Sequence, residues 1–279
     1  MSDIGFVGLA LIILNFAVSY KGFNTGLLFD GYKFEVDRIL IDKDYGRLIT
    51  SGFLHVNWMH LIFNMLSLYA FSDLLEWRLG PLNFAIIYFA SLIGGNILAL
   101  FVHRQHGDYS AVGASGAVCG VIFASIALFP GIGVGFFGMP YSIPSWGYGL
   151  LFVGISIFGI KSNKDNIGHE AHLGGALVGM LTAIIMQPEA LKENYLPILA
   201  TVVPTVVFIF LIITRPHILL TNNSFFESNK KDHYDIDHIY NEKRTNKEKE
   251  LDKLLEKISK KGMSSLSTKE KNRLKELSK

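Results

Sequence analysis

The chain has 279 residues, half of them hydrophobic, and a mean hydropathy of +0.33. Apolar residues come in long runs, which excludes an ordinary soluble domain and places the chain among membrane proteins. The net charge of +2 hides an asymmetry: residues 215–279 carry 16 Lys/Arg and 11 Asp/Glu, against 10 and 13 in residues 1–214. The one cysteine, Cys119, excludes an intrachain disulfide and a zinc framework, and no nucleic-acid partner is expected.

The first apolar run, Ile4 to Tyr20, is long enough to cross a ~30 Å hydrocarbon core and has no small-residue cleavage site, so it reads as a span rather than a signal peptide. Residues 21–54 are mixed and too many for a plain turn, so a structured loop is expected. The second span covers about 58–75 and is closed by Glu76-Trp77-Arg78-Leu79-Gly80-Pro81. A third covers about 82–102, with Gly94-Gly95-Asn96 inside it. The fourth is expected to open at Ser110 and run to about Phe129, ended by Pro130. Residues 130–145 read as a connecting loop near the interface, the fifth span as 146–160 and the sixth as 168–187. A seventh, Leu196 to Thr214, contains Pro197 and Pro204, which membrane helices tolerate.

After a polar linker, Leu251, Leu254, Leu255 and Ile258 recur at helical spacing, and Gly262 suits a C-cap. Ser267-Thr268-Lys269-Glu270 reads as a capping box opening a second short helix with Leu274 and Leu277. The expected organisation is a six-span core over 1–190, an additional membrane helix over 191–215, and a linker with a charged helical tail over 216–279. The tail's partner is unknown.

Polar side chains inside membrane spans are expensive and mark function by default. His60 and Asn64, four residues apart, share a helix face and can donate hydrogen bonds in one direction. Ser115 sits in Gly113-Ala114-Ser115-Gly116 near a helix start, and His172 in Ala171-His172-Leu173-Gly174-Gly175. Gly116/Gly120 and Gly175/Gly179 have the spacing that lets two helices approach closely, which would bring Ser115 and His172 within hydrogen-bond reach. A histidine so placed can take the serine proton. Glu170 lies on another face, so a Ser–His dyad is expected rather than a triad. His60, Asn64 and the Ser115 N–H are candidates to hold the oxyanion. His169-Glu170-Ala171-His172 is not H-E-x-x-H, and Gly113 to Ala117 is not G-x-S-x-G, so the zinc-protease and α/β-hydrolase readings fail. A transporter would predict inverted repeats, which are not visible.

Four stretches in this order resemble the rhomboid family of intramembrane serine proteases. They are His55-Val56-Asn57-Trp58-Met59-His60-Leu61-Ile62-Phe63-Asn64, Glu76-Trp77-Arg78-Leu79-Gly80, Gly113-Ala114-Ser115-Gly116 and His169 to Gly175. The resemblance implies an all-α polytopic protein with a six-helix core, Ser115 as nucleophile, His172 as general base, and an oxyanion hole of His60, Asn64 and the Ser115 N–H. It further implies that His55 and Arg47 help hold the first loop, that Glu76 and Arg78 lie at the far membrane face, and that no cofactor or metal is needed. The implied partners are the lipid bilayer and single-span membrane-protein substrates, entering under a mobile loop that here would be Lys161 to Ile167. A catalytically inactive relative that binds or escorts membrane proteins is the alternative.

Two positions depart from the family's pattern: Gly46 stands where Trp often precedes the first-loop Arg, and Cys119 where many members place a Tyr that stacks on the histidine. The expected location is a bacterial inner membrane, multi-pass, with the N-terminus in the cytoplasm and the site outside. The Lys/Arg distribution of the body loops favours the reverse orientation.

Overall fold

A computed structural model describes residues 5–135, 142–162 and 168–214, together with positions 254, 257, 258, 267, 270, 273 and 274. Helix α1 (Phe6–Asn24) leads into a first loop that folds as a unit: α2 (Gly26–Tyr32), β1 (Phe34–Glu35), α3 (Val36–Leu40), α4 (Arg47–Thr50) and a 3-10 turn at Ser51–Phe53. Helix α5 (Trp58–Leu79) starts at Asn57, whose side chain accepts from the His60 N–H, and stops at Gly80, where φ is +82°. Pro81 opens α6 (Pro81–Val102), where a missing N–H costs nothing. Strand β2 (Ser110–Ala111) pairs antiparallel with β1, tying the third connection to the first loop. Then come α7 (Ser115–Leu128), the hairpin β3 (Gly133–Gly135) and β4 (Ser142–Pro144), α8 (Ser145–Ser162), α9 (His169–Met186), α10 (Glu189–Glu193) and α11 (Tyr195–Thr214).

This is an all-α polytopic membrane protein. Helices α1, α6, α9 and α11 are each long and apolar enough to cross a bilayer, and α7 and Ser145–Phe158 of α8 are shorter apolar helices. Helix α5 is 22 residues long but carries Asp73, Glu76 and Arg78 near its end. Helix α7 is the centre of the bundle, with every residue from Gly116 to Ala127 buried. Its 14 residues rise only about 21 Å, less than the ~30 Å core.

Glycines set the closest approaches. A Cβ on Gly175 would overlap the Gly116 carbonyl, one on Gly179 the Gly120 backbone, and one on Gly95 the Ala171 carbonyl. Helices α6, α7 and α9 thus meet backbone to backbone, and the two pairs of glycines expected to face each other do so. On the other side, the Glu76 carboxylate accepts the Val7 and Gly8 N–H groups, both at 2.9 Å, and so caps the start of α1 from the end of α5. Asn15 of α1 donates to its own Leu11 carbonyl and to the Tyr88 hydroxyl of α6.

One boundary differs from the sequence reading. The fourth span does not open at Ser110. Residues 110–111 are strand, Gly113 has φ +134°, and the Gly113 N–H is bonded to the Ser51 carbonyl at 3.0 Å. Pairing with the first loop takes these backbone groups before a helix can use them, so α7 begins at Ser115. Of the expected mobile loop, Lys161 and Ser162 belong to α8 and 163–167 lie outside the described residues.

The chain divides into two compact units, 1–221 and 222–279. In the second, the expected capping box is formed: the Ser267 N–H and hydroxyl donate to Glu270 Oε2 at 2.8 and 2.9 Å, and the Glu270 N–H donates to Ser267 Oγ at 3.3 Å. Lys257 Nζ pairs with Glu270 Oε1 at 2.6 Å, which with the serine bonds holds that carboxyl down to about 2. Leu254 is buried. Leu251, Leu255, Gly262 and Leu277 lie outside the described residues.

Candidate active site

The N-terminal ends of α5, α7 and α9 converge. Each helix end carries unpaired N–H groups and the positive pole of its dipole, so the junction favours developing negative charge. His172, on the first turn of α9, places Nε2 2.6 Å from Ser115 Oγ at the start of α7. Both side chains are half-buried, so the pair is open on one side. His60, on the first turn of α5, packs against Gly113: a Cβ there would sit 2.7 Å from His60 Cε1, 2.9 Å from Nε2 and 3.6 Å from Ser115 Oγ. The bare Cα at Gly113, in a backbone conformation that glycine alone takes easily, is what admits the ring. Asn64 lies one turn deeper, buried, with its Nδ2 donating to the His60 carbonyl at 3.0 Å.

The loop before Ser115 is held from the first loop. Two successive N–H groups are used: Gly113 to the Ser51 carbonyl at 3.0 Å, and Ala114 to His55 Nε2 at 3.5 Å. The His55 Nδ1 lies 2.8 Å from Ser19 Oγ, which donates to the Phe53 carbonyl at 2.9 Å. An Nε2 that accepts and an Nδ1–H that donates make His55 the neutral Nδ1-protonated tautomer. Burial, and secondarily the neighbouring His60, push its pKa down to about 3. Arg47 ties together three parts of the first loop. Its Nε meets Asp44 at 2.8 Å, and one terminal nitrogen donates to the Asp30 and Lys33 carbonyls at 3.0 and 2.7 Å.

A sequence model of the rhomboid domain matches residues 42–189, the part of the chain that builds this junction. The chain belongs to the rhomboid family. Its tail matches a second model, a family of unknown function (DUF6576), over residues 234–279. Relatives include RHOMBOID-like protein 12, mitochondrial, of Arabidopsis thaliana, 28% identical over 63% of this chain and 56% of that one. Rhomboid protein 1, mitochondrial, of Saccharomyces cerevisiae is 32% identical over 62% of this chain and 51% of its own length. The putative rhomboid protease YdcA of Bacillus subtilis is 32% identical over 51% and 67% respectively. The chain spans about half the length of the first two. The mitochondrial names among these relatives lend the bacterial inner membrane no support; what stands is an integral membrane protein.

Within this rhomboid, the Cys119 departure has a structural answer. The His172 ring is flanked by Phe152 of α8 at 6.1 Å and by His169 at 5.8 Å, edge to face, while Cys119 is simply buried in α7. Glu170 turns away from His172, toward His103, as its position on another face required. Glu76, beyond its place at the opposite end of α5 from His60, is the cap of α1, a role the sequence did not suggest. Arg78 sits in the last turn of α5, at the opposite end of that helix from His60. Gly116 acts by admitting α9 and Gly113 by admitting His60.

Sequence reasoning missed the scaffold behind these groups. Asn96 Nδ2 donates to the Leu48 carbonyl at 2.8 Å and to Ser51 Oγ at 3.3 Å, clamping the first loop onto α6. Ser19 and Asn15 were legible in principle: two polar residues four apart inside an apolar run share one face and need partners. Among the described residues, no group of three or more His, Cys, Asp or Glu side chains is placed to hold a metal ion.

Proposed function

We propose that this rhomboid is an intramembrane serine endopeptidase that cleaves single-span membrane proteins in or near their transmembrane segments with a Ser115–His172 dyad. The observation that carries the reading is the 2.6 Å approach of Nε2 to Oγ between two apolar helices of the bundle. A polar pair among apolar helices is costly, and a positioned nucleophile and base is what that cost would serve. Ser115 Oγ attacks the scissile carbonyl while His172 Nε2 accepts its proton. The C–N bond breaks as the imidazolium returns that proton to the departing amine. Water, deprotonated by the same nitrogen, then attacks the acyl-serine and restores Ser115.

The oxyanion of each tetrahedral intermediate would be met by the Ser115 N–H at the positive end of α7, with His60 and Asn64 beside it. His60 is already against Gly113; Asn64, with one amide N–H on the His60 carbonyl, has its second N–H to offer the oxyanion. The substrate helix must unwind locally, because a helical peptide bond is shielded from the nucleophile. No cofactor enters any step.

The test is labelling of the full-length protein, in detergent or liposomes, by a fluorophosphonate probe, with cleavage of a model transmembrane substrate alongside. Wild type is expected to label and cleave, and Ser115→Ala and His172→Ala to do neither while remaining folded. Labelling or cleavage that survives Ser115→Ala would overturn the assignment.

A further inference from the structure

The first turn of α9 carries His172, and Gly168, at the N-cap position, has no side chain with which to cap it. Beside this turn, from the end of α6, lies an acid–base pair that the dyad does not use. Glu170, its side chain 12% exposed, lies with Oε1 3.7 Å from Nε2 of His103, the residue that ends α6. A carboxylate so far from water needs a partner. His103 is equally enclosed at 10% exposure, and neither of its ring nitrogens is hydrogen-bonded among the described residues. Its ring lies flat on Tyr109, 3.6 Å away and only 5° from parallel.

Tyr109 is itself fixed to the first loop. Its carbonyl accepts the Val36 N–H at 3.2 Å, its ring meets the edge of Phe34 at 6.1 Å, and β2 begins at the next residue, paired to β1. Its hydroxyl side also lies against Gly168, where a Cβ would be 3.5 Å from the oxygen. The first loop therefore holds one partner of the dyad through Ser51 and His55, which grip Gly113 and Ala114. It reaches the other through Phe34, Tyr109, His103 and Glu170.

We propose that His103 and Glu170 are positioning residues that lock the first turn of α9, and with it the His172 imidazole, to the loop that also holds Ser115. This rests on the protease reading above. The pair acts through the turn alone, because the rest of α9 is held deeper down where Gly175 meets Gly116 and Gly179 meets Gly120. Cutting the link should loosen His172 without dissolving the bundle. Sub-ångström placement of a base governs turnover far more than it governs substrate binding.

The experiment uses the full chain in liposomes, with fluorophosphonate labelling and model-substrate cleavage for wild type, Glu170→Gln, His103→Phe and the double variant. Phenylalanine keeps the stack on Tyr109 and removes only the partner of Glu170. Each single variant should lower the labelling rate and kcat about tenfold with KM within about twofold and little change in Tm. The double should be no slower than the slower single, since one link is cut twice. Wild-type rates in His103→Phe and Glu170→Gln, or losses that multiply in the double, would overturn the proposal. So would a rise in KM with kcat unchanged. Should Glu170→Gln fail to fold, His103→Phe decides alone. A wild type that neither labels nor cleaves would remove the protease reading and this inference together; labelled wild type with unaffected variants would remove the inference only.

Discussion

Gly175→Ala should inactivate the protein by moving the two halves of the dyad apart. The added Cβ would overlap the Gly116 carbonyl oxygen and lie 2.8 Å from its carbon and 3.1 Å from the Gly116 Cα. Carbon pairs rest at about 3.5–4.0 Å, so α7 and α9 must separate by something near 1 Å. The obstacle is backbone on the central helix, which cannot rotate away as a side chain would. Ser115 adjoins Gly116, and His172 lies one turn before Gly175, so the displacement passes directly to the pair. Their 2.6 Å contact would open to about 3.6 Å, beyond a useful hydrogen bond. The expected cost is about 1–3 kcal/mol of stability and up to about a hundredfold in labelling rate. Fluorophosphonate labelling below the melting transition, with Tm measured on the same preparation, checks both. A folded Gly175→Ala protein that labels at the wild-type rate would refute the claim that backbone contact between α7 and α9 sets the dyad distance.

Other substitutions separate the roles of the remaining polar groups. Asn64→Ala should reduce kcat by about 10²–10³ with little change in KM, read from substrate cleavage, if its amide meets the oxyanion. Glu76→Ala orphans two N–H groups at the start of α1 and should cost about 1–3 kcal/mol in Tm-derived stability. It should leave the labelling rate of folded protein intact, because Glu76 is about 24 Å along α5 from His60. His55 supplies a pH dependence. Its pKa is 6.5 when unfolded and about 3 in the fold, so the stability it contributes is complete above pH 6.5 and erodes as pH falls toward 3. The stability gap between wild type and His55→Asn should therefore shrink by about 2 kcal/mol from pH 7 to pH 5. A gap that stays constant, measured by thermal unfolding in detergent, would mean that His55 does not hold the Ala114 N–H as a neutral acceptor.

Much of this protein is written locally in its sequence. The apolar runs place seven helices within about five residues of where they lie, four of them long and apolar enough to cross hydrocarbon, where a segment has no other way to satisfy its backbone. Gly116, Gly120, Gly175 and Gly179 disclose which faces of α7 and α9 meet, since only glycine permits that approach. The capping box at Ser267 and Glu270 formed as read, being a matter of three residues. Ser115, His172, His60 and Asn64 stood out because polarity inside a span is expensive.

The tertiary structure alone decided where α7 starts, since the first loop's claim on the N–H groups of Gly113 and Ala114 cannot be seen from residues 110–114. It decided that Glu76 caps a helix 68 residues earlier, that Phe152 and His169 flank His172, and that Glu170 faces His103. Each of these joins elements distant in the chain. Spacing reports the face a side chain occupies, whereas the partner on that face is chosen by how the helices and the first loop pack.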